Sequence, residues 1–261
     1  METGITNEKR GEMEPFQHEG PIKITVLSPH IDDAAYGLAL TISECVKSKI
    51  DLTILNCFTY TKWAIRFVSK DLNEISLLRK NEDASFYKQF DFPIKIVNLE
   101  MVDAPLRNNY IFKSKALAED EWLIVDQLKK YLETLHGILL CPLAIGDHID
   151  HVICVEAAIQ LYDKLNIVFF EDLPYAARIM EDQIHAHVQN LEQRLKVRFT
   201  NHIGDLKSCT IDKEKSVNLY KTQINDEICA EIIAHLNRLS GERLWGEPHL
   251  IQALKKCFVC K

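Results

Sequence analysis

The chain has 261 residues, 47% of them apolar, and a formal net charge of -7, which is ample for one large packed domain. An acidic balance with no long basic block excludes a duplex nucleic-acid binder, because phosphate contacts need clustered Lys and Arg. No uncharged run approaches the roughly 20 apolar residues that a membrane helix requires, so no membrane span is expected.

Residues 1–20, METGITNEKRGEMEPFQHEG, are polar and mixed in charge. They lack the apolar core of a signal peptide and read as a flexible tail ahead of a domain over 21–261. The segment 22–29, IKITVLSP, is apolar and β-branched and stops at Pro29, as a buried strand does. A helical pattern follows through AAYGLALTISECVKS, then a strand at 51–60, an amphipathic helix at 75–90 and a strand at 94–101. A helix over about 116–135, a strand at 137–142, a helix from His148 to about Lys164 and a strand at 166–172 continue the alternation. Such alternation predicts an α/β fold, a doubly wound, mostly parallel sheet with helices on both faces. Residues 180–197 and 212–239 read as further helices, and no Gly- or Ser-rich linker sets them apart, so one domain with a decorated C-terminal part is expected.

Eight cysteines sit mostly in apolar surroundings. Without a secretion signal they read as reduced thiols, which points to the cytoplasm. Cys257-x-x-Cys260 has half the spacing of a zinc clip but no second pair at a suitable distance, and reads as two free thiols.

Open α/β sheets bind ligands outside the carboxyl ends of their strands. No G-x-G-x-x-G and no phosphate-binding loop follows the first strand, which removes the main support for a dinucleotide or nucleoside triphosphate site. The first loop instead carries Ser28-Pro29-His30-Ile31-Asp32-Asp33, an imidazole and two carboxylates in one turn. The loop after strand 137–142 carries Gly146-Asp147-His148-Ile149-Asp150-His151, with His148 and His151 spaced to share a helix face. Each segment alone also fits an Asp-capped helix start with incidental histidines. Two His/Asp clusters at equivalent strand ends are harder to assign to capping. Together they supply the three His and carboxylate ligands that a hydrolytic zinc takes, plus spare groups for proton transfer.

The pair His30-x-Asp32-Asp33 and His148-x-Asp150-His151 resembles, in order and spacing, the PIG-L/LmbE family of zinc-dependent de-N-acetylases, in the subset whose first motif reads S-P-H-x-D-D-A. Arg79-x-x-Glu82-Asp83, Asp103-Ala104-Pro105-Leu106-Arg107 and Glu171-Asp172-Leu173-Pro174-Tyr175 extend the likeness over most of residues 22–225. The resemblance implies a Rossmann-like sheet and removal of an N-acyl group, typically acetyl, from an amino sugar or glycoconjugate. It implies His30, Asp33 and His151 as ligands of zinc, or of another divalent metal such as Fe2+. Asp32 would be the general base, and His148 would stabilise the oxyanion or protonate the amine. Asp150 would orient a histidine.

Arg79, Asp103 and Arg107 would contact substrate, although Arg79 could equally pair with Glu82 or Asp83, and the other two could fasten their loop. Glu171 and Asp172 fit loop anchoring as well as a role at the site. Tyr60, Trp63 and Tyr175 could wall a sugar face or belong to the core. Where some family members carry a tyrosine two residues before the first histidine of the second motif, this chain has Gly146. The competing expectation is a non-catalytic binding or scaffold protein that retains the fold and the ligand set.

Overall fold

The computed structural model describes residues 22–65, 71–107, 113–114, 116–205 and 211–259; the tail expected at 1–20, Cys209 and Cys260 lie outside them. The elements, in chain order, are β1 (Lys23–Ser28), α1 (Asp33–Lys47), β2 (Asp51–Asn56), α2 (Leu72–Tyr87), β3 (Lys95–Asn98) and α3 (Ala104–Arg107). Then come α4 (Glu119–Leu132), β4 (Ile138–Pro142), α5 (Ile149–Ile159), β5 (Asn166–Phe170), a 3-10 turn at Tyr175–Arg178 and α6 (Glu181–Leu195). The chain closes with β6 (Thr200–Asp205), α7 (Lys213–Val217), α8 (Asp226–Leu239), β7 (Gly241–Gly246) and α9 (Pro248–Val259).

The strands form one seven-stranded sheet in the order β3-β2-β1-β4-β5-β7-β6. β3 to β5 run parallel, and β7 is antiparallel to both β5 and β6. Right-handed crossovers place α1 and α2 on one face of such a sheet and α4 and α5 on the other. The central strands are therefore covered twice: all five residues of β4 are buried, as are five of the six in β1. This is why they read as continuous apolar runs rather than alternating ones.

Two expectations need correction at the C-terminal end. The stretch 212–239 is not continuous helix but α7 and α8, separated by turns. TNHIGD and GERLWG, which carry no apolar run, form the strands β6 and β7. This hairpin extends the main sheet, so the C-terminal decoration belongs to the same layer as the parallel strands. Cys45, Cys57, Cys141, Cys154 and Cys229 are buried free thiols, and no helix among the described residues is long and apolar enough to cross a membrane.

α1 is broken at Leu38, whose φ of -134° and ψ of 15° leave the helical region. The break frees backbone groups that the helix ladder would have paired. The N–H groups of Leu40 and Thr41 donate instead to the two Glu242 carboxylate oxygens at 2.9 and 2.8 Å. Lys213 Nζ donates to the Tyr36 carbonyl at 2.5 Å and to Glu242 Oε1 at 2.6 Å. A buried ion pair from α7 and β7 thus substitutes for the missing turn.

Candidate active site

The strand order reverses between β1 and β4. From β1 the chain goes toward β2, and from β4 toward β5, so the loops leaving their carboxyl ends diverge and open a crevice. Both His/Asp clusters stand on these loops. Ser28, the last residue of β1, serves the start of α1: its Oγ accepts from Ala34 N–H at 3.1 Å and donates to the His30 carbonyl at 2.5 Å. Asp32 makes no side-chain cap bond, and its carboxylate is left for other partners. At α5 the capping group is His148, whose Nδ1 accepts from the Asp150 N–H at 3.2 Å. In the neutral ring the proton then sits on Nε2.

Three ligand-type atoms meet at one point. Asp33 Oδ2 lies 3.2 Å from His30 Nδ1 and 3.2 Å from His151 Nε2, and the two nitrogens are 3.3 Å apart. Tetrahedral zinc, with bonds of about 2.0–2.1 Å to N and O, has ligand–ligand edges of about 3.3 Å, so this donor set fits such a metal. His148 also brings a ring nitrogen within 4.8 Å of those of His30 and His151.

The far side of each histidine is anchored. His30 Nε2 is 2.9 Å from Asp150 Oδ2, and His151 Nδ1 is 2.6 Å from Asp172 Oδ1. Carboxylates behind metal-binding histidines fix the ring and raise its basicity. Asp150 is fully buried and also accepts from Ala104 N–H at 2.9 Å and Arg107 Nη2 at 2.7 Å. Asp172 accepts from Ile145 N–H at 3.0 Å. The sequence places Asp150 in this role for one of the histidines, and the structure pairs it with His30. Asp172 is the contact with this cluster that sequence reasoning left unassigned, because nothing in Glu171-Asp172 distinguishes the carboxylate that faces His151. Glu171 turns away to His235 at 2.8 Å, Arg243 at 2.5 Å and Trp245 at 2.9 Å.

The electrostatics show a point that attracts positive charge. Burial opposes a charged His30, yet hydrogen bonds to Asp150 and Asp33 outweigh it and push its pKa up to about 9. His151 is raised in the same way against burial, by Asp33 and Asp172. Burial favours a neutral Asp33, but the two imidazoles hold its carboxyl well below the usual range. Asp150 is also held low against burial, by His30 and Arg107. His148 goes the other way: burial, then the charges of His30 and His151, depress its pKa well below that of a free imidazole.

A cleft of about 220 Å3 opens over this cluster, with His30, Asp32, Asp33 and His148 at its head. Trp63, Ile65, Leu173, Pro174 and Ile228 contribute apolar surface, and Tyr36, Arg79, Asp103, Arg178 and Gln223 contribute polar groups. Arg79 is 3% exposed and donates from Nη2 to Asp32 Oδ1 at 2.7 Å. Asp103 lines the cleft and accepts from the Thr61 hydroxyl and, at 3.3 Å, from Leu106 N–H. Arg107 does not line it; its guanidinium lies 4.9 Å over the Phe58 ring and is committed to Asp150 and the Val102 carbonyl. Trp63 and Tyr175 line the cleft, whereas the Tyr60 hydroxyl is 3.4 Å from Asn73 Oδ1.

Gly146 has a φ of 94°, and a Cβ built there would lie 2.6 Å from Cγ of Tyr175. The Tyr175 ring fills the space that a side chain at 146 would need. Gly146→Ala is expected to cost about 1–3 kcal/mol, since it combines left-handed strain with that clash. Urea unfolding measures it, and an unchanged midpoint would show that the loop relaxes freely.

The Rossmann-like sheet carries this His/Asp cluster at its switch point, and the reaction class, N-deacetylation by hydrolysis of an amide C–N bond, comes from the family to which the chain belongs. The chain belongs to the PIG-L family, described as GlcNAc-PI de-N-acetylase, whose family model matches residues 25–162. Its sequence matches no curated protein. The crystal structure of the antimicrobial reagent A40926 pseudoaglycone deacetylase is 18% identical with a TM-score of 0.62, over 87% of this chain and 97% of that one. The zinc-inhibited form of a teicoplanin deacetylase is 15% identical with a TM-score of 0.62, over 85% and 97%. N,N'-diacetylchitobiose deacetylase from Pyrococcus horikoshii is 15% identical with a TM-score of 0.51, over 91% and 87%. These structures share the sheet and its helices with this chain.

Proposed function

We propose that the chain is a zinc-dependent N-deacetylase that removes the acetyl group from a soluble amino sugar or amino-sugar-containing glycoconjugate. The observation that carries this reading is the triangle of His30 Nδ1, Asp33 Oδ2 and His151 Nε2, standing beside the Asp32–Arg79 pair at the head of one cleft. The family membership and the deacetylase names of the similar structures support the reaction class. When bound, zinc would polarise the amide carbonyl and lower the pKa of water. Fe2+ suits the same donors.

The chain's own groups supply the proton transfers. Arg79 holds Asp32 Oδ1, leaving Oδ2 to take a proton from the attacking water. The same carboxyl returns that proton to the amide nitrogen as the C–N bond breaks, releasing acetate and a free amine. His148, with Nδ1 occupied by the Asp150 N–H, presents Nε2–H to the carbonyl oxygen as negative charge builds there. Asp150 and Asp172 hold His30 and His151 in their ligating orientation. Asp103 accepts hydrogen bonds from substrate hydroxyls, and Arg107 acts through Asp150 rather than on the substrate. The free thiols suit a reducing cytoplasm.

Protein purified without chelators is expected to carry roughly one zinc per chain. Dipicolinate should remove it and abolish acetate release from N-acetylglucosamine derivatives, and added zinc should restore it. Protein that neither contains nor takes up a divalent metal would refute the reading.

A further inference from the structure

Tyr36 stands on α1 one turn after Asp33, is 2% exposed and lines the cleft, and its hydroxyl has no hydrogen-bond partner among the described residues. It is held firmly. Its carbonyl accepts from Lys213 Nζ, and its ring packs edge-on to Tyr220 with centroids 5.8 Å apart at 79°. Burial, reinforced by Asp32, raises the phenol's pKa well above its ordinary value, so the group remains an O–H donor that can also accept. An orphaned buried hydroxyl costs stability, and such a group persists where something else requires it.

Gln223 is a second fixed group in the cleft. Its Nε2 donates to the Trp63 carbonyl at 2.9 Å and to the Thr222 carbonyl at 3.0 Å, which sets the amide orientation and leaves Oε1 as its remaining acceptor. Among the described residues, the two arginines that line the cleft each face a carboxylate. Arg79 is paired with Asp32 at 2.7 Å, and Arg178 pairs with both Glu231 oxygens, from Nε to Oε1 at 3.1 Å and from Nη2 to Oε2 at 2.7 Å. A phosphate or carboxylate would have to compete with these partners, Asp32 in the buried pair and Glu231 in the half-exposed one, and the Asp103 carboxyl also lines the cleft.

We infer that the Tyr36 hydroxyl, together with Gln223 Oε1, binds hydroxyl groups of the substrate, and that the part of the substrate within the cleft is uncharged and polyhydroxylated. Hydroxyls suit these partners because each can donate to Gln223 Oε1 and either donate to or accept from Tyr36. The inference rests on the deacetylase reading for where the reacting end of the cleft lies.

The test uses zinc-loaded full-length protein, wild type and Tyr36→Phe, with three probes: methyl 2-acetamido-2-deoxyglucoside, its 6-phosphate, and N-cyclohexylacetamide, which has no hydroxyls. Calorimetry should show Tyr36→Phe weakening the neutral sugar about tenfold, the value of one good hydrogen bond, with no change for the cyclohexyl amide. The 6-phosphate should bind wild type more weakly than the neutral sugar. In the free protein the variant should melt no lower than wild type, because the hydroxyl it removes has no partner. Unchanged sugar affinity in the variant, equal loss for sugar and cyclohexyl amide, a lower melting temperature, a preference for the phosphate, or no sugar binding by wild type would each overturn the inference. Acetate release is scored separately. Sugar binding without acetate release would refute the deacetylase reading and leave the assignment of Tyr36 standing, whereas acetate release from the cyclohexyl amide without sugar binding would do the reverse.

Discussion

Asp32→Asn is expected to lower kcat by about 10³-fold, within the 10²–10⁴-fold range typical of a positioned general base, while zinc content stays at the wild-type level. The carboxylate is buried beside the donor triangle but does not join it: its Oδ1 faces Arg79 at 2.7 Å, whereas Asp33 Oδ2 faces the His30 and His151 imidazoles. Asparagine keeps an oxygen for the Arg79 Nη2–H and loses only the basicity. Alanine would in addition leave a guanidinium that is 3% exposed without its counter-charge, a change that commonly costs several kcal/mol. Asp33→Asn should separate the two aspartates, because it should lose zinc and activity together. Steady-state acetate release and elemental analysis on the same preparations decide the matter. If Asp32→Asn kept more than a tenth of wild-type kcat, or lost its metal, the division of labour between the two aspartates would be wrong.

That proposed division comes from the sequence only through the family resemblance, since spacing places both carboxylates in one turn and does not say which one turns inward. In the structure Ser28 Oγ serves the start of α1, Asp33 Oδ2 accepts from the His30 N–H at 2.7 Å and faces two imidazoles, and Arg79, 47 residues away, holds Asp32. The strands β1, β2, β4 and β5 were legible because burial writes them as apolar runs, and the edge strand β3, exposed or half-buried throughout, by its place in the strand–helix alternation. β6 and β7 were not, since TNHIGD and GERLWG keep polar groups whose partners are distant in sequence. Glu242 is an example, as its contacts on α1 lie about 200 residues away. Asp172 was hidden for the same reason, since only the fold shows that it meets His151 and Glu171 does not.

Glu242→Ala is expected to destabilise the protein by about 3–5 kcal/mol, equivalent to a fall in Tm on the order of 10 °C. The Lys213–Glu242 pair is almost fully buried, with side-chain exposures of 3% and 2%, so removing the carboxylate strands a buried ammonium. A more discriminating result concerns the double variant Lys213→Met, Glu242→Leu. Replacing an ordinary buried ion pair by apolar residues of similar volume is often neutral or stabilising. Here it should not be, because Glu242 also accepts from the N–H groups of Leu40 and Thr41 and from the Thr41 hydroxyl at 2.9 Å, and Lys213 donates to the Tyr36 carbonyl. These bonds lie at the break in α1 at Leu38, where the helical geometry is interrupted. Each orphaned donor costs about 1–3 kcal/mol, so the double variant should remain at least about 2 kcal/mol below wild type in urea unfolding. A double variant as stable as wild type would show that α1 heals its own break. The break lies one to two turns beyond Asp33 and close to Tyr36, so the same double variant should also bind zinc less tightly, because the segment that presents the ligand loses the clamp that holds it.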